Sequence, residues 1–198
     1  MKSTVESLVI FPRESVYFIV ALYFCTEGRE AMAMRAETLA AINMTEAEMV
    51  KSLIKDVQDV FINMVGVEDL MHLPIQVDIT THFTECLTAM VGLAGTYNGL
   101  VSVHVPWGLA LSFTSLMLGM EVTEIDDDVN DAMGEIANMV AGSFKQHLSK
   151  GGSDIQLSTP SVVNGADYMV TSGNDLENVT LKFATDDEWF MVALSIED

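Results

Sequence analysis

Asp131-Ala-Met-Gly-Glu135-Ile-Ala-Asn138-Met-Val-Ala-Gly142 is the stretch of this chain whose spacing says most about its fold. At about 100° per residue, the apolar residues here and just beyond fall in one sector of a helix: Met133, Ile136, Ala137, Val140, Phe144 and Leu148. The opposite sector holds Asp131, Glu135, Asn138, Gly142 and Lys145. The spacing therefore predicts an amphipathic helix whose first set faces the core and whose second set faces solvent.

Gly142 is an unusual residue for the solvent-facing side of a helix, since glycine there costs about 1 kcal/mol relative to alanine. Close approach by another backbone would explain it. The spacing Glu135-x-x-Asn138 is weak evidence alone, because any surface helix can carry two such polar residues. It becomes informative together with Asp131, Gly142 and Pro160, which follows a short strand-like run.

On these residues the chain resembles the CheC/CheX/FliY family of bacterial chemotaxis phosphatases, and most closely its single-site CheX-type members. The matching pattern is Asp131-x-x-x-Glu135-x-x-Asn138 followed by Pro160. A second stretch, residues 92–106 with Ala110 and residues 117–119, is similar to the glycine-punctuated hairpin and following helix of that family. The resemblance covers residues 44–198, whereas residues 1–43 match no recognised pattern.

The resemblance implies hydrolysis of the aspartyl phosphate on a CheY-type receiver domain. It implies that Asn138 orients the attacking water and that Glu135 pairs with the receiver's active-site lysine. Asp131 and Gly142 would extend that contact, and Mg²⁺ is expected on the receiver, with no cofactor bound by this chain. The resemblance also implies a homodimer, for which we expect pairing through sheet edges. A non-catalytic receiver-binding or flagellar-switch module is the alternative, and a purely structural subunit would leave Glu135 and Asn138 without a purpose.

Composition limits the class of partner. The chain has 198 residues, 49% of them hydrophobic, and a formal net charge of −20 from 29 acidic and 9 basic residues. Such a charge repels nucleic acid and anionic membranes and favours a protein that presents lysines and arginines, although ordinary solubility also explains it. We expect one domain, residues 44–198, preceded by an N-terminal extension, residues 1–43, without which the core folds.

The cysteines, histidines and N-terminal apolar run exclude several other classes. Cys25 and Cys86 lack the number and spacing of a disulfide framework, which favours a reducing cytoplasm. The four histidines lack the spacing of a zinc site, so no structural metal is expected. The apolar run 16–25 is too short to span a bilayer and lacks the features of a signal peptide. It is an extended gene start, an added strand or an anchor to another protein.

The remaining patterns predict an α+β fold of two layers, in which helices pack on an antiparallel sheet. Thr45-Glu-Ala-Glu48 predicts a capping box, and Gly66 would end that helix. Its apolar stripe is Val50, Leu53, Ile54, Val57, Phe61 and Met64. A second helix is predicted from Pro106 through Leu118. Residues 126–128 favour a helix cap over a cation site, because no further oxygen ligands follow at loop spacing.

Strands are predicted at residues 75–83, 86–93 and 100–105, the last two joined through a turn at 97–99. Four more are predicted at 155–158, 168–171, 179–184 and 189–196, separated by turn signals at 164–165, 174–175 and 186–187. Asn63-Met-Val and Asn138-Met-Val form a degenerate internal repeat. Since Val60 stands where Glu135 stands in the second copy, the first copy lacks the acid, and Asn63 is a structural or remnant polar residue.

Overall fold

Strands with alternating apolar residues form one antiparallel sheet, and amphipathic helices cover one of its faces. The strands differ in length. The computed structural model describes residues 34–74, 82–149, 154–170, 176–186 and 188–197. The helices are α1 (Ala36–Ile42), α2 (Glu46–Val60), α3 (Trp107–Leu118) and α4 (Asp127–Leu148). The strands are β1 (Met71–Leu73), β2 (His82–Gly95), β3 (Asn98–Pro106), β4 (Ile155–Leu157), β5 (Ser161–Met169), β6 (Glu177–Ala184) and β7 (Trp189–Glu197).

The sheet order is β1-β6-β7-β3-β2-β4, and β5 also pairs with β2. All of these pairings are antiparallel. Odd-numbered residues of β2 and β3 point into the main core beneath the helices: Leu87, Ala89, Val91, Val101, Val103 and Val105. The α+β, two-layer antiparallel fold predicted from the sequence is confirmed. Within the described residues, no helix is both long and apolar enough to cross a membrane.

The helix α4 is the central helix of the layer. It packs on β2 and against both α2 and α3. The six residues predicted to face the core are all buried: Met133, Ile136, Ala137, Val140, Phe144 and Leu148. His147 Nε2 lies 2.7 Å from Asp56 Oδ2 and ties the last turn of α4 to α2. The amphipathic pattern therefore predicted this helix and its buried side correctly, because the helix has one apolar stripe and packs that stripe on the sheet.

The helix α2 begins at the predicted capping box, and Gly66 ends the helical run as predicted, but the last turn is wider than an α-helical turn. Thr45 Oγ1 accepts from Glu48 N at 3.3 Å, and Thr45 N donates to Glu48 Oε2 at 2.9 Å. Beyond Val60 the backbone forms one turn of π-helix, Phe61–Val65, called the π-turn below, and Gly66 ends it with a φ of +91°. The wider turn rotates Val65 into the core and leaves Met64 62% exposed, so the prediction that Met64 belongs to the apolar stripe is wrong.

The hairpin and the capping of the next two helices follow the prediction closely. β2 and β3 pair from Cys86↔Pro106 to Leu93↔Gly99. Pro106 is the N-cap of α3 rather than its first residue, and Gly119 ends α3 with φ of +66°. Val129 N donates to Asp126 Oδ1 at 3.2 Å, so Asp126 is the predicted cap of α4.

The strand β5 corrects one prediction. It runs over Ser161–Met169, whereas the pattern placed a turn at residues 164–165 and a strand at 168–171. Asn164 and Gly165 instead pair with Leu87 and Cys86 of β2. Backbone pairing along a long neighbouring strand overrides the local turn preference of Asn-Gly. The short strand β1 was not predicted, and most of the predicted strand 75–83 and the turn at 174–175 lie outside the described residues.

The helix α1 attaches the chain before Thr45 to the sheet. Met34 is buried in the main core. The buried carboxylate of Glu177 accepts from Arg35 N and Thr38 Oγ1, each at 2.8 Å. Arg35 Nε lies 3.5 Å from the same carboxylate. Residues 34–43 therefore belong to the packed structure, which revises the expectation that the core does not need residues 1–43.

Candidate active site

The exposed side of α4 carries the residues that the sequence pattern singled out. Asp131 and Glu135 are exposed, and Asn138, one turn further along, is partly buried. The side chains of Glu135 and Asn138 make no hydrogen bond or ion pair with any other described residue. Folding therefore leaves one carboxylate and one carboxamide side by side without an intramolecular partner. Such a pair is available to a partner molecule, since it makes no contact that the fold requires.

Pro160 lies next to this pair, although it is distant in sequence. A Cβ added to Gly134 would lie 3.3 Å from Pro160 Cβ and 3.8 Å from Val162 Cγ2. Gly134 thus lets the loop of Pro160 pack directly on α4, one residue before Glu135. Sequence reasoning included Pro160 but missed Gly134. The available signal was a glycine on the apolar side of a helix, which indicates close packing.

The loop that carries Pro160 is fixed to the sheet at Gly92. Gly92 N donates to Ser158 Oγ at 2.9 Å, and Ser158 N donates to Gly92 O at 2.9 Å. This double contact between β2 and residue 158 holds the loop that follows β4. Ser158 therefore positions Pro160, and sequence reasoning did not identify it.

Gly142 lies one turn beyond Asn138. A Cβ added there would meet no heavy atom within 4 Å. The helix surface therefore remains open at this glycine, which continues the strip that Asp131, Glu135 and Asn138 form on the solvent-facing side of α4. The open space agrees with the predicted close approach of a partner, and the role of Gly142 in binding stays a prediction.

The charge around this strip is negative. Asp127 and Asp128 lie in the first turn of α4, where carboxylates interact favourably with the helix dipole. Lys145 is turned toward β4, and its Nζ donates to Ile155 O at 3.4 Å. A partner that docks on the strip would thus need to present basic groups. Among the described residues, no three His, Cys, Asp or Glu side chains are arranged to hold a metal ion.

The first copy of the repeat offers no equivalent strip. Asn63 is exposed in the π-turn, but Val60, which takes the place of Glu135, is buried in the main core. A carboxylate at position 60 would be buried without a counter-charge, which is energetically costly. The packing therefore supports the interpretation that this copy lacks the acid.

Comparison with known proteins gives consistent similarities. A family model described as chemotaxis phosphatase CheX matches residues 87–184, a segment that includes Glu135, Asn138, Gly142 and Pro160. The CheY-P phosphatase CheX of Thermotoga maritima is 28% identical over 128 residues, which are 64% of this chain and 82% of that protein.

Solved structures agree in fold. The chemotaxis protein CheX from Desulfovibrio desulfuricans is 28% identical, with a TM-score of 0.64 over 76% of this chain and 99% of its own. The structure of a CheX–CheY–BeF3–Mg²⁺ complex from Borrelia burgdorferi matches with a TM-score of 0.63 at 19% identity, covering 76% of this chain and 98% of the other.

Proposed function

Because this chain belongs to the CheX family of chemotaxis phosphatases, we propose that it hydrolyses the aspartyl phosphate of a CheY-type receiver domain through Glu135 and Asn138. One observation carries this proposal: the unpartnered carboxylate and carboxamide lie adjacent on the exposed side of α4, inside the segment that matches the family. The known complex of a relative with CheY supports the choice of partner. With this substrate we also propose a cytoplasmic location.

Asn138 acts on the attacking water. Its side-chain oxygen accepts a hydrogen bond from the water and its amide donates, which orients the water in line with the bond between phosphorus and the aspartyl oxygen. As the water oxygen bonds to phosphorus, that P–O bond breaks and releases inorganic phosphate and the free receiver carboxylate. Positioning of this kind is sufficient because phosphoryl transfer passes through a loose transition state. A hundredfold acceleration requires only about 2.7 kcal/mol.

Glu135 docks the helix on the receiver. Its exposed carboxylate pairs with the receiver's active-site lysine and so sets the register of Asn138 relative to the phosphoryl group, more than it adds affinity. Asp131 extends that contact, and the open surface at Gly142 admits the receiver backbone. The receiver supplies the Mg²⁺ that neutralises charge on the phosphoryl oxygens.

The direct test is phosphate release from a phosphorylated receiver. Asn138→Ala should keep receiver binding but lower the dephosphorylation rate at least about a hundredfold, the scale expected for a group that acts mainly in the transition state. Glu135→Lys should abolish productive docking, because it opposes the receiver lysine. Both positions lie on the surface, so the free energy of unfolding should change by no more than about 0.5 kcal/mol.

Asn63→Ala is the matched control, since it removes the equivalent exposed amide from the copy that lacks the acid, and it should leave the rate nearly unchanged. Full activity of Asn138→Ala would eliminate the assigned role of that residue. A wild-type protein that binds the phosphorylated receiver without accelerating phosphate loss would favour the non-catalytic binding or switch module instead.

The sheet edge at β5 supports the proposal of a homodimer. β5 pairs with β2, and no other described strand covers its outer edge. It exposes two apolar side chains, Val163 and Met169. Unpaired strand edges with apolar side chains favour pairing with another chain. A monomer mass from light scattering at tens of micromolar would contradict this proposal.

A further inference from the structure

A cavity of about 360 Å³ opens on the face of the sheet that points away from the main core, next to the first residues of α3. Cys86 and Met191 contribute to its lining, and their strand neighbours Leu87 and Val192 point the other way, into the main core. Cys86, Met191 and Phe83 form a separate small apolar cluster. The cavity is thus remote from the exposed side of α4, and its volume lies in the range of small-molecule sites.

Aromatic rings form much of the cavity wall. Phe83, His104, Trp107 and Trp189 all contribute. The rings of Phe83 and His104 stack with centroids 4.5 Å apart and planes 1° from parallel. Trp107 is fixed by a hydrogen bond of 2.7 Å from its Nε1 to Asn164 Oδ1. The wall is therefore held in place before any ligand arrives.

Two carboxylates belong to the cavity lining. Glu85 and Glu188 both line it, and burial raises the pKa of Glu188. Burial lowers the pKa of His104 to about 4, so its ring is neutral at pH 7 and repels no cation. Burial also raises the pKa of the Cys86 thiol, which stays protonated. His82, at the same opening, lies 2.6 Å from the Asp167 carboxylate.

The molecule itself already places an ammonium group on one of these rings. Lys182 Nζ lies 3.1 Å from the centroid of the Trp189 ring. Lys182 is on the neighbouring strand and does not line the cavity. Cations are attracted to the faces of tryptophan rings, most strongly where water is excluded. This contact shows that an ammonium group fits over the Trp189 ring, where burial lowers the pKa of Lys182.

We propose that this cavity binds a small organic cation, an alkylammonium compound whose charge lies among Trp107, Trp189, Glu85 and Glu188. Aromatic faces with nearby carboxylates recognise quaternary ammonium groups. An organic cation fits better than a metal ion, because no three potential metal ligands converge in the part of the chain that the structure describes. The proposal goes beyond the phosphatase function and does not depend on it.

Tryptophan fluorescence of the full chain is a site-specific measurement here, since the chain has two tryptophans and both line the cavity. Choline chloride is the probe, with sodium chloride at equal ionic strength as the reference. The neutral control is the carbon isostere of choline, in which a tert-butyl group replaces the trimethylammonium group. We expect a saturable change of emission with choline and a much weaker response to the isostere.

Two substitutions should move the affinity in opposite directions. Glu188→Gln removes a charge that attracts the cation through space and should weaken choline binding about tenfold. Lys182→Met removes a competing ammonium group and should tighten it about threefold. Glu124→Gln, an exposed carboxylate outside the cavity, is the matched control and should change nothing. If Glu188→Gln fails to fold by circular dichroism, Glu85→Gln takes its place.

The proposal is overturned if choline gives no saturable signal, or if the neutral isostere binds equally well, since the cavity would then be merely apolar. It is also overturned if the Glu188 or Glu85 variant folds and binds choline as the wild type does. Isothermal titration calorimetry with the same probes checks that the fluorescence change reports binding.

Discussion

Substituting Gly142 with alanine should raise stability and lower activity together. Gly142 lies inside α4 with helical backbone angles, and an added Cβ would meet no heavy atom within 4 Å. The full helix-propensity gain of alanine over glycine, about 0.5–1 kcal/mol, is therefore available. For a chain of this size, that gain corresponds to a rise of about 1–4 °C in melting temperature.

The phosphatase activity of Gly142→Ala should fall although its stability rises. If the receiver backbone closes on Gly142, the new methyl group occupies part of the contact, and overpacking costs about 1–3 kcal/mol. kcat/KM for phosphate release should then fall by about tenfold or more. The assays are urea unfolding followed by circular dichroism and phosphate release at receiver concentrations well below KM.

Gly134→Ala is the matched control, because it makes the same change in the same helix where space is lacking. Its methyl group would lie 3.3 Å from Pro160 Cβ. Packing strain should offset the propensity gain, so no stabilisation is expected. A loss of stability in Gly142→Ala would refute the open geometry at that residue, and an unchanged kcat/KM would refute its role in docking.

Deleting residues 1–33 should leave cooperative unfolding intact, whereas deleting 1–43 should lower the urea midpoint, because it leaves the Glu177 carboxylate buried without its donors. Thr45→Ala should cost about 1 kcal/mol by loss of the capping box, measured by the same unfolding assay. Folding lowers the pKa of His104 from 6.5 to about 4, so below pH 6.5 the unfolded chain binds a proton more readily than the folded one. The free energy of unfolding should therefore decrease as the pH falls from 6.5 toward 4. His104→Phe should show a weaker pH dependence of this free energy over that window. Since 29 acidic residues face 9 basic ones, the association rate with a basic receiver surface should fall with added salt, and a rate that stays constant would exclude electrostatic steering.

Local sequence patterns predicted the parts of the fold that depend on neighbours along the chain. The apolar stripe from Met133 to Leu148 correctly predicted α4 and its buried side. Residues 45–48 and Asp126 correctly predicted where α2 and α4 begin. The turn before Gly99 placed the β2–β3 hairpin. In each case the signal is a periodicity or a cap, and both depend on residues only a few positions apart.

The same patterns failed where distant segments compete with local preference. Asn164 and Gly165 have the composition of a turn, yet they pair with β2 because that long strand offers hydrogen bonds along its whole edge. Met64 leaves the apolar stripe because a π-turn lets Val65 fill the core. Neither outcome is encoded in the few residues around the position.

In the candidate site, too, some features follow from local sequence and others from contacts between distant residues. The sequence by itself determined that Asp131, Glu135, Asn138 and Gly142 share the polar side of one helix, since helical spacing alone fixes that arrangement. Only the tertiary structure decided that Pro160 packs on Gly134 and that the first copy of the repeat buries Val60. It also decided that two tryptophans and two glutamates line one cavity. Those contacts join residues far apart in the chain, and their geometry is set by strand register and core packing, which no local periodicity specifies.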